Sequence, residues 1–537
     1  MSRMLGLTSA FAAAFLVACS GGTDDTRTLH RGNDGEPLTL DPQKTVLNIE
    51  FAIIMDMFSG LYVADEIGDT IPGLVTHAET SDDGLTWRFT LRESRWSDGA
   101  PVTAHDVAAG MQRAAAPATL NENSSKYFVF ENGTEVISGS LPPEALGVEA
   151  LDDQTLEIRL AYPMPHLEDF LVNNSYPLPR HVYNIHGDAW IQPENIVTNG
   201  PYILSQWRTN NFIELTANPE FFEANQVCFD TVYYYPVSDR VTGERMVRTR
   251  ELDLHTDIEG SNITMLRQQH GDLVRESASY TAEDILFNTA AGPFTDVRVR
   301  QAFSMAIDRR FIANEVLNGA SNPSFRMISE AVPNAAPGLR LSYADDDMET
   351  RRERARTLLI EAGYGPENPL DVVYQHTPSQ QRIAPVLQQD WALIAPWVSV
   401  DISVGDAQFH YAAMRAGDFT FGNNGWTPEY GDPYASLLMW EGRAGEINYS
   451  RWTHPDYDAL IEAGLSTGDA AERQRLFGAA EEILLEEVPH APLTVPVNFD
   501  LVRPDITGWN ANPGRQNRSR WLCREGLEPI GQTADWR

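Results

Sequence analysis

The chain runs to 537 residues, 42% of them hydrophobic and 10% aromatic, enough apolar material for several domain-sized cores, so wholesale disorder is excluded. Its 40 Lys+Arg against 76 Asp+Glu leave a formal net charge of −36, which excludes the basic surface that grips nucleic acid. Lysine occurs only as Lys44 and Lys126, the other 38 cations being arginine, and no Gly-Lys pair exists for a GxxxxGK[ST] phosphate loop.

The first residues read MSRMLGLTSAFAAAFLVACSGG. Arg3 precedes an apolar run, Leu5 to Val17, that is too short to span a bilayer comfortably. Leu16-Val17-Ala18-Cys19 resembles a lipobox. This predicts a lipoprotein signal peptide over 1–18, lipidation of Cys19 and a polar tether over 19–26. No later run of 18 apolar residues follows, so the expected mature protein is anchored and otherwise soluble. Lipidation leaves Cys228 and Cys523, a candidate disulfide in an oxidising envelope or else two separate buried thiols.

Strands and helices alternate irregularly along the rest. Asp82-Asp83-Gly84 makes a turn, and residues 85–92 then place Trp87, Phe89 and Leu91 on one face, predicting a strand. Thr103 with Asp106 three residues on reads as a helix start close to a capping box. Residues 155–160 alternate again, and 202–216 read as a hairpin turning at Asn210-Asn211. Val299, Phe303, Ala306 and Ile307 form a stripe that predicts one long helix from Asp296 to Leu317. Further helices are expected over 350–362, stopped by Gly363, and over 469–487. The pattern implies a mixed α/β (α+β) protein of several lobes.

Chemistry-bearing motifs are few. The twelve histidines include no HExxH, and no CxxC occurs, so neither a metal nor a cofactor is expected. One GxSxG is present, Gly464-Leu465-Ser466-Thr467-Gly468. A nucleophile elbow needs a strand before its serine, whereas the residues ahead of Ser466 have helical spacing, so Ser466 reads as a turn or cap. No catalytic residue is assigned, and the chain reads as a non-enzyme.

Several segments recur in a recognisable order: Leu40-Asp41-Pro42-Gln43; Met57-Phe58-Ser59-Gly60-Leu61; Trp87 to Arg92; Trp96-Ser97-Asp98-Gly99-Ala100-Pro101-Val102-Thr103-Ala104-His105-Asp106-Val107; Asn199-Gly200-Pro201-Tyr202; Asp296 to Phe303; and Gly425-Trp426-Thr427-Pro428-Glu429-Tyr430-Gly431-Asp432-Pro433. Over about residues 30 to 510 the chain resembles the oligopeptide/dipeptide-type periplasmic substrate-binding proteins of bacterial peptide ABC importers.

The resemblance implies a two-lobed periplasmic-binding-protein fold with a hinge. A base lobe would comprise 27–58, 187–280 and 498–537, an extra subdomain 59–186, and a second ligand-binding lobe 281–497. Cys228 and Cys523 both fall in the base lobe. The implied function is that of an extracytoplasmic receptor that binds oligopeptides between its lobes and delivers them to membrane permease subunits driven by a cytoplasmic ATPase. It would be a periplasmic, membrane-anchored monomer that touches the bilayer only through its lipid. The alternative is the same transport role with a metal chelate, haem, opine or glycoside.

Peptides of varied sequence share a backbone and two termini, and an extended backbone is read by strand addition. The resemblance maps the strands that do so to Val46-Leu47-Asn48, Asn424-Gly425-Trp426 and Pro496-Val497-Asn498. Glu429 stands where the family carries an aspartate for the ligand's ammonium. Asn423 replaces a basic residue that serves some relatives, which leaves Arg415 and Arg382 as candidates for the ligand's carboxylate. Trp426 and Tyr430 are expected to line the cleft.

Overall fold

In the computed structural model, which describes residues 26–45 and 47–530, the longest strand is His490–Val502, 13 residues of which all but Pro496 and Val497 are buried. It belongs to two half-sheets at once. Its first half pairs antiparallel with Ala282–Phe287, through contacts such as Leu286 opposite His490. Its second half pairs antiparallel with Val274–Ala278 and with Leu254–Thr256. The predicted signal peptide, the lipidation site Cys19 and Val46 lie outside the described residues.

The first half-sheet continues from Leu254–Thr256 through Thr28–Asn33, Thr231–Pro236, Phe212–Ala217 and Tyr202–Arg208. The second continues from Ala282–Phe287 through Phe421–Trp426 and Leu370–His376 to Val398–Val404. A separate antiparallel sheet of four strands holds Val75–Thr80, Thr86–Leu91, Thr155–Arg159 and Val148–Ala150 in that order.

Packing joins the small sheet to the first half-sheet. One continuous apolar cluster runs from Leu29 through Phe89, Leu156 and Phe170 to Phe229 and Val502. The second half-sheet has its own core around Phe303, Trp391 and Phe421, with a neighbouring cluster around Tyr434, Trp440 and Phe477.

Local sequence signals explain many elements. Trp87 faces Ile158 and Phe89 faces Leu156 across the expected strand, with the Trp87 and Phe89 rings stacked 6.0 Å apart. Asp106 Oδ2 accepts from both Thr103 N and Thr103 Oγ1, at 2.9 and 3.0 Å, and the helix Ala104–Ala115 follows. The hairpin of Tyr202–Arg208 and Phe212–Ala217 turns through Asn210 at φ 56°, a left-handed conformation that asparagine tolerates. Asp347 and Asp469 each cap the helix that follows, Met348–Glu361 and Ala470–Glu487. Ser466 closes the helix Pro455–Ser466 and donates to the Glu462 carbonyl at 2.8 Å.

Two expectations are corrected. The single helix over 296–317 is interrupted: Val297–Ala306 ends, Ile307 is extended at ψ 123°, and Asp308 starts a new turn by accepting from Phe311 N at 3.0 Å. The apolar stripe continues across the break. The cause is tertiary, because the buried Arg309 guanidinium takes the Ser304 and Pro492 carbonyls. Leu47-Asn48 is not strand either. Leu47 is extended, but Asn48–Met57 is a helix whose start is held by Glu50, with Oε2 accepting from Leu47 N at 3.1 Å.

Cys228 and Cys523 form a disulfide across a sequence separation of 295. Closing so long a loop restricts the unfolded chain strongly. Replacing Cys523 by serine is expected to lower stability by about 3–5 kcal/mol. Thermal melts of the oxidised wild type and the variant would read this, and coincident melting curves would show that the bond contributes nothing.

Candidate functional site

A cleft of about 680 Å³ opens where the two half-sheets and the small-sheet region meet. The first half-sheet supplies a charged floor. Arg515 bridges Asp257 at 2.5 Å and Asp500 at 2.9 Å, with Asp34, Asn33 and Arg31 alongside. Burial pushes the Asp34 and Asp500 carboxyls up, and the nearby Asp257 charge adds to both shifts, while Arg515 opposes them. Of the residues singled out in the sequence, Leu47, Asn48, Asn498 and Glu429 line this cleft.

A second recess, of about 490 Å³, is lined by Asn424, Gly425, Trp426 and Arg415 together with Tyr411 and Tyr449. Strand Phe421–Trp426 is paired along one edge by Ala282–Phe287. On its other edge, pairing with Leu370–His376 stops at Gly422 opposite Gln375. Asn424, Gly425 and Trp426 therefore present an open strand edge to this recess. Glu283, the register partner of Gly425, lies so close that a Cβ on the glycine would sit 3.0 Å from Oε1. Burial pushes the Glu283 carboxyl up to about 7, and the adjacent Asp284 charge adds to the shift.

Other sequence candidates fall elsewhere. Arg382 donates to the Val316 carbonyl and is not among the residues lining either space. Val497 is held on both edges, opposite Ala278 and donating to the Ala320 carbonyl at 3.0 Å. Tyr430 turns away from the cleft and packs on His166, ring centroids 5.2 Å apart.

The segment 429–432 is held by residues of the small-sheet region and by Arg473 of the helix Ala470–Glu487. Lys126 Nζ donates to Glu429 Oε1 at 2.7 Å, and Asn174 Nδ2 donates to the same oxygen at 2.9 Å. Arg473 forms a fork on Asp432, at 2.5 and 2.7 Å, and its Nη2 also donates to His166 Nδ1 at 3.0 Å. Because arginine only donates, that ring carries its proton on Nε2, which faces the Tyr430 hydroxyl at 3.0 Å. Sequence reasoning missed Lys126, Asn174, His166 and Arg473. Only Lys126 left a trace, as one of two lysines in a chain of 40 cationic residues.

Comparison with known proteins agrees with this architecture. The family model for bacterial extracellular solute-binding proteins, family 5 Middle, matches residues 69–447. The chain belongs to this family. The probable deoxycholate-binding periplasmic protein YgiS of Escherichia coli K12 is 32% identical over 489 residues, 89% of either chain. The periplasmic oligopeptide-binding protein OppA of Salmonella typhimurium LT2 is 32% identical over 503 residues, 92% of this chain and 91% of its own. Among solved structures, the unliganded open form of the periplasmic murein tripeptide binding protein MppA superposes with a TM-score of 0.84 at 28% identity, covering 93% of this chain and 98% of its own.

For this family 5 protein the His166 contact has a pH signature. Burial first, and Arg473 after it, push the imidazole down to about 4, with Asp432 opposing. The folded value lies below the usual 6.5, so the stabilisation is complete above about pH 6.5 and is lost as pH falls towards 4. Stability is expected to fall over that interval by up to about 1.4 kcal/mol per pH unit for this group, and the melting temperature falls with it. In His166→Gln, which keeps a polar partner for Tyr430 but does not titrate, that part of the slope disappears. A variant slope identical to the wild type would refute the assignment.

Proposed function

We propose that this protein is the peptide receptor of an ABC importer. It would take oligopeptides in the cleft and hand them to permease subunits powered by a cytoplasmic ATPase. Family membership supports the receptor role, and relatives such as the oligopeptide-binding OppA support peptides as the ligand class. The observation that carries the reading is the open strand edge at Asn424-Gly425-Trp426, on which an extended backbone of any sequence can pair.

Around that edge and in the cleft the chemistry fits a peptide. Glu429 in the cleft offers a carboxylate to an ammonium, and Arg415 in the second recess offers a guanidinium to a carboxylate. The division into a base lobe (27–58, 187–280, 498–537), an extra subdomain (59–186) and a second lobe (281–497) is consistent with which strands share a sheet. Closure would swing the second lobe about the two chain crossings near 280 and 497, with ligand favouring the closed state. The lipobox-like Cys19 supports a lipid-anchored periplasmic location.

Titration calorimetry of the mature protein with a defined tripeptide library tests the reading, with deoxycholate as the comparison ligand because one relative carries that name. Peptide binding is expected, and Glu429→Gln, which leaves the Lys126 ammonium unpaired beside an incoming one, should weaken it by about 10-fold. Binding of deoxycholate with no response to any peptide would sink the proposal.

A further inference from the structure

The carboxylate assigned to the ligand's ammonium already holds an ammonium. Lys126 Nζ sits 2.7 Å from Glu429 Oε1, and both side chains are 26% accessible, so the pair is neither sealed in the core nor fully washed by solvent. Both residues line the cleft. Lys126 belongs to the short turn Ser124–Val129, which is pinned on one side by Asn123 Nδ2 donating to the Thr45 carbonyl at 3.1 Å. Asn174 Nδ2 shares Oε1 with it at 2.9 Å.

Residue type matters here. The chain uses arginine for 38 of its 40 cations, yet places a lysine at this carboxylate. An arginine would form a planar two-point fork, as Arg473 does on Asp432, whereas lysine is a point charge on a flexible stem and can withdraw without breaking a paired geometry. A half-buried carboxylate does not balance two ammonium groups, because the second meets the positive charge of the first in a poorly screened space.

Resting on the peptide reading above, we propose that Lys126 is a specificity-determining residue of this site. Its ε-ammonium neutralises Glu429 while the cleft is empty, and the α-ammonium of an incoming peptide takes its place. Exchange of one cation for another is nearly balanced, so the wild type gains little from a free amino terminus. A peptide with a blocked terminus leaves the Lys126–Glu429 pair intact. Lys126 therefore sets how strongly the receptor separates free from blocked amino termini.

The test titrates wild type and Lys126→Met with one tripeptide library in two forms, free and N-acetylated. Removing the internal cation is expected to tighten binding of the free form about tenfold while the acetylated form changes less than about twofold. Lys126→Gln, which keeps a polar side chain, should behave the same way and guards against a folding defect in the first variant. Weaker binding of the free form in both variants, or an equal shift of both forms, would overturn the proposal. If the wild type binds neither form, the peptide reading falls and this proposal falls with it.

Discussion

One strand serves two half-sheets, and the site exists because of it. His490–Val502 fixes the register of Ala282–Phe287 at one end and of Val274–Ala278 at the other. The charged floor around Arg515 is tied to this ribbon through Asp500, and the open edge at Gly425 through the pairing of Ala282–Phe287 with Phe421–Trp426. The ribbon changes partners near Pro496, and proline at 492 and 496 removes two ladder donors near that change. The short strand Ser321–Pro323 pairs with Thr494–Pro496 across that change, and Val497 donates to the Ala320 carbonyl, so the ribbon stays paired through it.

Across the gap, contact is polar where the cores are apolar. Glu429 meets Lys126, Tyr430 meets His166, and Arg473, forked on Asp432 of its own side, reaches His166. Partly buried ion pairs of this kind return little net stability, since desolvation offsets the attraction. Their value is geometric: each fixes an angle, and each is lost cleanly when the partner leaves. An apolar seal in the same place would resist opening.

Much of the fold was legible because its causes are local. Thr103 with Asp106, Asp347, Asp469, and the alternation of Trp87 and Phe89 act over two to four residues. The break at Ile307 was not legible, because the apolar stripe runs straight through it and the competitor is Arg309 capturing a carbonyl from residue 492. The helix start at Asn48 escaped for a related reason, as leucine is a poor cap and the work is done by Glu50. At the site, Glu429 could be found from its motif, whereas Lys126 lies 303 residues away from it and His166 lies 307 from Arg473. No spacing rule reaches that far.

The bond between Cys228 and Cys523 encloses every segment of the second half-sheet within its covalent ring. A pull applied between the two ends of the chain passes from residue 228 to 523 through sulfur and bypasses everything between. The second half-sheet is thereby mechanically shunted: tension at the termini loads the small sheet and the strands Thr28–Asn33, Tyr202–Arg208 and Phe212–Ala217 outside the ring, while the second half-sheet carries none of it.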